Sequence, residues 1–510
     1  MIVPNNLRTR RTALNYTSSV ALSVATLVVG FVATPLLLRW LGTERFGALR
    51  AAGDWLGHLS LLEAGVAGAL APLLAAALAH QDRPGLRRAM HAGLRAHAVV
   101  AAAALILGGL VTLYATRLVP VTIGLAQELT NACFVGLLSY ALIVLSPFQT
   151  LVDAAQRGYA VSLSAGLQSL ATTALALAFA RAGWGLPGQF AALVIGQGTF
   201  RLTLALVARP WLDGFQSLLT EPPDPETTRS LWRLNVPSFL TALAGRAGFY
   251  ADNIIVALLL GPRAVVPLFL TQRLAALAGG QLLNVGNASW AALAELHALG
   301  RRDDFNARLL ELTRLIGGLA LVALVPIAAY NQHFVARWVG AERFGGDWIT
   351  ALACVNAYLL ALLALWGWCF GGTGKLAALV PVLLGGAGLN LVVSVVATQR
   401  LGLPGPLVGT LVAVCLVNLW AVPMLLARNF GTPLVALARA AAVPLLWGVP
   451  LAFLAAWLGR GHTPGSWPAL FAEMAAVASV LAVCWWFLAL TTGERVAFGA
   501  RVRAALSRTA

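Results

Sequence analysis

Two stretches of this chain follow one plan about 220 residues apart, and both are written mainly in apolar residues. Asn15 is followed by a long apolar run, then Leu41-Gly42, then a second apolar run ending near Pro72. Asn235 is followed by a long apolar run, then Leu260-Gly261, then a second run ending near Ala292. An Arg-rich stretch closes each copy, Asp82 to Arg95 and Arg301 to Arg314. A repeat of whole apolar segments restricts the fold to two equivalent halves of a membrane bundle. Such halves imply a site between them and a rocking motion about it, which is an architecture of transport rather than of catalysis.

The rest of the chain agrees. Of its 510 residues, 59% are hydrophobic and only 11% charged, with a mean hydropathy of +0.81. A soluble protein of this length carries roughly 45–50% apolar residues. The excess lies in runs of about 20 residues, each long enough to cross a hydrocarbon core of about 30 Å. A β-barrel would show weaker alternating segments. The expectation is an all-α polytopic membrane protein with fourteen spans, 14–38, 46–79, 97–116, 129–149, 160–180, 187–208, 232–258, 264–294, 308–329, 346–370, 376–398, 404–427, 435–458 and 468–491. These group into a six-helix lobe (1–208), a linker (209–231) around Pro222-Pro223-Asp224-Pro225, a second six-helix lobe (232–427), and two further spans with a basic tail (428–510).

The net charge of +16 does not point to nucleic acid, because the arginines lie at the ends of apolar segments rather than in one patch. That distribution is a topology signal with contacts to anionic headgroups. With the N-terminus inside, about 22 Lys/Arg fall on the cytoplasmic side and about 10 outside, so both termini are expected in the cytoplasm. The N-terminal apolar run reads as the first span rather than a signal peptide, being too long and lacking a well-placed cleavage site. The five cysteines sit inside apolar segments without CxxC spacing and read as packed thiols. No metal or cofactor motif is present, and none is expected.

Ionisable side chains within a span cost roughly 2.5–3.5 kcal/mol on insertion scales and therefore tend to face a cavity or a partner. Here they are Asp54, His58 and Glu63 in the second span, Arg201 in the sixth, Arg246 and Asp252 in the seventh, and Arg273 in the eighth. On a helical wheel Arg273, Gly280, Asn284, Asn287 and Glu295 share a face of span eight, which suits either a wet lumen or a hydrogen-bonded helix contact. Span two carries a matching stripe of Asp54, His58, Gly65, Gly68 and Pro72. The repeat offset of about 219 sets Asp54 opposite Arg273, an acid and a base at equivalent places that would pair in one state and part in another. Arg246 shares its face with Tyr250. A guanidinium at that depth needs either a neighbouring acid or an anionic ligand, and its planar fork suits phosphate. Glu63 and His58 are candidate proton carriers.

Several segments carry a resemblance to a known family. They are Asn15, Pro35, Leu41-Gly42-Thr43-Glu44-Arg45-Phe46-Gly47, Glu63-Ala64-Gly65, Trp232 to Pro237, Asp252 to Val256, Leu260-Gly261, Thr271-Gln272-Arg273-Leu274, and Asn331 to Gly340. Together they resemble the Wzx-type polysaccharide flippases of the MATE-like multidrug/oligosaccharidyl-lipid/polysaccharide exporter superfamily. The resemblance implies a V-shaped pair of six-helix lobes with two extra helices in a bacterial inner membrane. It implies passage of an undecaprenyl-pyrophosphate-linked oligosaccharide to the outer leaflet by alternating access. By position, Arg246, Arg273 and Arg201, with Asn284, Asn287 and Tyr250, are the candidates for holding pyrophosphate and sugar. Asp54, His58, Glu63 and Asp252 are those for ion coupling or pairing between lobes. The expected partners are the lipid-linked oligosaccharide, membrane lipids and polysaccharide polymerase or assembly proteins.

Rival readings remain. A drug/cation antiporter of the same fold would want an acid in span one, and residues 14–38 have none. A peptidoglycan-precursor flippase of the same superfamily is harder to exclude, since it too would use fourteen helices and basic cavity residues. A membrane glycan polymerase or ligase would need a sizeable outer loop, and the longest expected here is 330–347. The loops also lack the nucleotide and catalytic motifs of an enzyme.

Overall fold

The computed structural model describes residues 26–212 and 251–490, together with 22, 214, 224–229, 231, 493 and 495. Among the described residues there is no strand, and each of the fourteen expected spans falls at least partly on a helix. Ten of these helices are long and apolar enough to cross a bilayer alone. They correspond to spans three to six and nine to fourteen. The other four are split by a break or begin outside the described residues. The expected linker 209–231 lies largely outside them.

Two compact units emerge, Met1–Val266 and Pro267–Ala510. In the first, α1 (Thr26–Leu41) turns through 119° into α2 (Thr43–Leu59). The turn is made at Gly42, whose φ of 79° favours a residue without Cβ. A second break separates α2 from α3 (Leu61–Ala79). There the Ser60 hydroxyl donates to the Gly57 carbonyl at 2.7 Å, and the backbone tightens to i→i+3 bonds, Ser60 N to Gly57 O and Glu63 N to Ser60 O. A Ser/Gly pair is an ordinary cause of such a kink. Residues 46–79 are therefore two helices rather than one.

The first Arg-rich stretch is the opening of a helix, not a loop. Asp82 caps α4 (Arg83–Leu113) by accepting the Gly85 N–H at 2.9 Å. The unit continues through α5 (Ile123–Ala154), α6 (Gly158–Arg181), α7 (Gly185–Trp211) and α8 (Ala251–Leu260). Glycine lets these helices approach closely: Gly93 lies against Leu70, and Gly136 against Phe190 and Leu56.

After Gly261 (φ 88°) comes α9 (Pro262–Thr271), then α10 (Arg273–Ala298). The expected single span 264–294 is thus also two helices. Pro267 inside α9 lacks a ladder N–H. At the break the Thr271 carbonyl accepts the amide of buried Asn331 at 2.7 Å, which also donates to the Thr350 hydroxyl at 2.9 Å. The Thr271 hydroxyl accepts the Gly345 N–H at 2.7 Å. Backbone groups freed inside a bilayer need partners of this kind.

Asn331 belongs to α11 (Arg302–Val339), which at 38 residues extends roughly 57 Å at 1.5 Å per residue and overshoots the hydrocarbon. The second unit is completed by α12 (Asp347–Gly372), α13 (Leu376–Leu401), α14 (Gly405–Phe430), α15 (Leu434–Gly461) and α16 (Trp467–Phe487). The last two pack onto α11. Gly317 faces Pro444, Gly318 faces Trp485, and Gly448 faces Leu321.

Candidate functional site

Arg246 and Tyr250 lie outside the described residues. The remaining candidates separate into polar clusters, each within one unit.

In the first unit Arg201, on α7, is internally neutralised. Its guanidinium donates to Glu63 Oε1 at 3.2 Å and to Gln149 Oε1 at 3.0 Å. Both members of the ion pair are largely buried, with side chains 11% and 19% exposed. The break at Ser60 is what sets Glu63 in the first turn of α3. His97, which the sequence reading did not single out, is fully buried on α4 and lies within electrostatic reach of both Glu63 and Arg201. Its Nδ1–H donates to the Gly93 carbonyl at 2.8 Å, while Nε2 has no partner among the described residues. A ring holding its proton on Nδ1 and leaving Nε2 open is able to accept a second proton.

Asp54 accepts the Asn253 amide at 2.7 Å, which ties α2 to α8. His58 bonds the Asp54 backbone carbonyl through Nδ1 at 2.8 Å, one turn back on its own helix. The Asp252 carboxylate makes no hydrogen bond or ion pair among the described residues and lies within electrostatic reach of Asp54.

A further polar group occupies the tip of the same unit. Arg263 donates to Glu44 Oε2 at 2.9 Å, and Glu44 Oε1 accepts the Thr122 N–H at 2.8 Å. Arg45 grips Glu128 with Nε at 2.9 Å and Nη2 at 2.9 Å, and Glu128 also accepts the Leu186 N–H at 2.7 Å. Glu44, Arg45, Thr122 and Arg263 border a cavity of about 710 Å³. Each arginine of the cavity already has its own carboxylate, so the cavity offers no free cation to an anion. Glu44 and Arg263 are 219 residues apart, the offset of the repeat. The signal for this pair is present in the sequence, ten residues before the Asp54–Arg273 equivalence.

In the second unit Arg273 opens α10, half-buried, with its guanidinium 5.7 Å from the Phe269 ring centroid. No carboxylate pairs with it among the described residues. Further along α10, Gln281, Asn284 and Asn287 are exposed. They form a loose chain of amides, Asn287 Nδ2 to Asn284 Oδ1 at 3.4 Å and Asn284 Nδ2 to Gln281 Oε1 at 3.5 Å. Trp368 of α12 donates its indole N–H to Asn287 Oδ1 at 2.7 Å. Exposed amides in the middle of a helix are costly against hydrocarbon and tolerated against water.

Three comparisons bear on this arrangement. No curated protein matches the sequence significantly. Among solved structures the chain is similar to the lipid II flippase MurJ in an inward closed conformation, with 12% identity, a TM-score of 0.69, and coverage of 92% of this chain and 99% of that one. It is also similar to a multidrug resistance MATE family transporter of the MOP superfamily in an inward-facing conformation, with 15% identity, a TM-score of 0.63, and coverage of 85% and 98%. A MOP superfamily transporter from Pyrococcus furiosus, described by the reversed polarity of its binding pocket, aligns with a TM-score of 0.57 at 16% identity, covering 86% and 96%. These likenesses establish a MATE-like fold. The model of the polysaccharide biosynthesis protein family matches residues 14–289, more than half of the chain, and the protein is therefore a member of that family.

Proposed function

We propose that this protein is a flippase that carries an undecaprenyl-pyrophosphate-linked oligosaccharide across the bacterial inner membrane, with both termini in the cytoplasm, by exposing one face of α10 alternately to the two sides. The observation that carries this reading is that face: three amides exposed along α10, with an arginine at its head for which the described residues supply no acid. A glycan headgroup cannot cross hydrocarbon unaided, and a wet polar face lowers the barrier while the prenyl tail stays in lipid. Arg273 is the best-placed described residue for the diphosphate, which a guanidinium binds bidentately. Arg246 retains that role as a proposal from the sequence. Arg201 is reassigned: its contacts with Glu63 and Gln149 support a part in ion coupling, together with His97, rather than in gripping cargo. Chemistry on the substrate is not part of this reading.

The test is translocation of a fluorescent prenyl-pyrophosphate oligosaccharide in proteoliposomes, with and without a proton or sodium gradient. Time-dependent movement to the opposite leaflet is expected, slowed at least about 10-fold in R273Q if the lost charge-assisted contact contributes the usual 1.5–3 kcal/mol. A chain that moves no such lipid, or that consumes a sugar donor, overturns the proposal.

A further inference from the structure

We infer that Trp290 and Trp368, with Gln281, Asn284 and Asn287, form a platform that binds the uncharged sugar residues of the cargo. The inference rests on the flippase reading and names which part of the headgroup is recognised, and where. Gln281, Asn284, Asn287 and Trp290 follow one another at i+3 spacing, and all four are exposed. Residues three apart form a continuous ridge on a helix surface. The ridge ends at Trp290, whose ring stacks beside that of Trp368, with centroids 6.0 Å apart and planes 25° from parallel.

Both indoles are seated by glycine. A Cβ on Gly372 would lie 3.1 Å from the Trp290 ring, and one on Gly286 would lie 3.2 Å from Trp368 Cδ1. The rings are thereby fixed against backbone, yet remain 40% and 38% exposed. An interfacial tryptophan of the ordinary kind turns its N–H toward headgroups. Trp368 instead gives its N–H to Asn287, inside the amide ridge.

The chemistry of this surface selects its occupant. A pyranose presents one apolar C–H face and a rim of hydroxyls that both donate and accept. Exposed indole rings match the first. Carboxamides, each with two donors and one acceptor oxygen, match the second. The links within the ridge, at 3.4 and 3.5 Å, are weak enough to yield to a ligand. Residues 274–294 include no acid, arginine, lysine or histidine, so the surface complements a neutral saccharide rather than a phosphate, which belongs nearer Arg273. Trp290 lies 17 residues beyond Arg273 on one helix, roughly 25 Å at 1.5 Å per residue. That span accommodates several sugars.

The experiment uses the full-length protein in nanodiscs and free maltotriose, N,N'-diacetylchitobiose, lactose and a rhamnose disaccharide, read by saturation-transfer NMR. At least one sugar is expected to receive transfer. Its dissociation constant is expected to rise about 10-fold or more in W290A and N287A and to change little in W290F, which keeps an aromatic face. No transfer to any of the four sugars, or equal binding in W290A, overturns the platform. The same variants are then scored for translocation of prenyl-pyrophosphate chitobiose. A wild-type protein that binds free sugar through Trp290 but moves no lipid-linked glycan sinks the flippase reading and leaves the platform standing. Wild-type rates in W290A and N287A sink the platform and leave the flippase reading.

Discussion

At the scale of single residues, the central question for each in-span charge is what neutralises it. Arg201 answers through Glu63 and Gln149. A largely buried ion pair is costly to break on one side, up to about 3–5 kcal/mol, because the remaining charge is stranded; removing both partners is often nearly neutral. E63Q and R201Q singly are therefore expected to lower thermal stability markedly, and the E63Q/R201Q double variant to recover most of it while losing the response of transport to an ion gradient. Equal destabilisation in the double variant would show that the pair is not the relevant unit. H97N, which keeps a small polar side chain at that place and removes the titrating ring, is expected to lose the response of transport to a proton gradient in the same proteoliposome assay.

At the scale of elements, the repeat shows its meaning at the tips of its hairpins. Gly42 and Gly261 make the two turns, and the residues two beyond each, Glu44 and Arg263, pair with one another. Arg263 is 72% exposed, and an exposed ion pair contributes only about 0–1 kcal/mol. The tighter element is Gly47, where a Cβ would sit 1.8 Å from the Pro262 carbonyl oxygen. Closure of α2 against the α8–α9 hairpin thus depends on a missing side chain more than on charge. G47L is expected to prevent this closure and to raise cysteine accessibility at the tip, measured by labelling of T122C. The E44R/R263E exchange is expected to label as wild type does. Unchanged labelling in G47L would mean that this contact does not govern access.

At the scale of the whole molecule, the two C-terminal spans are more than an appendage. Glycines of α11 receive Pro444 and Trp485, and Gly448 of α15 receives Leu321. Removing α15 and α16 bares this surface of α11, the longest helix of its unit. Truncation after residue 430 is expected to abolish monodisperse folded protein in detergent rather than merely lower activity. A truncated protein that elutes as a single sharp species would contradict the packing argument.

The sequence by itself determined the helical membrane fold and the family, because lipid imposes length and hydropathy on every crossing segment and a duplicated pattern survives as periodicity. It also held the offset that joins Glu44 to Arg263. What it could not contain is which buried groups meet. The breaks at Ser60 and Gln272 divide residues 46–79 and 264–294 into two helices each, which hydropathy alone does not show. Arg201 looked like a cargo ligand until Glu63 and Gln149, 138 and 52 residues away, were brought beside it. Nothing in the sequence joins Trp290 to Trp368; the packing of α10 on α12 stacks them beside the amides. Hydropathy is a property of segments and is legible locally. Neutralisation and recognition are properties of pairs, and only the tertiary structure forms the pairs.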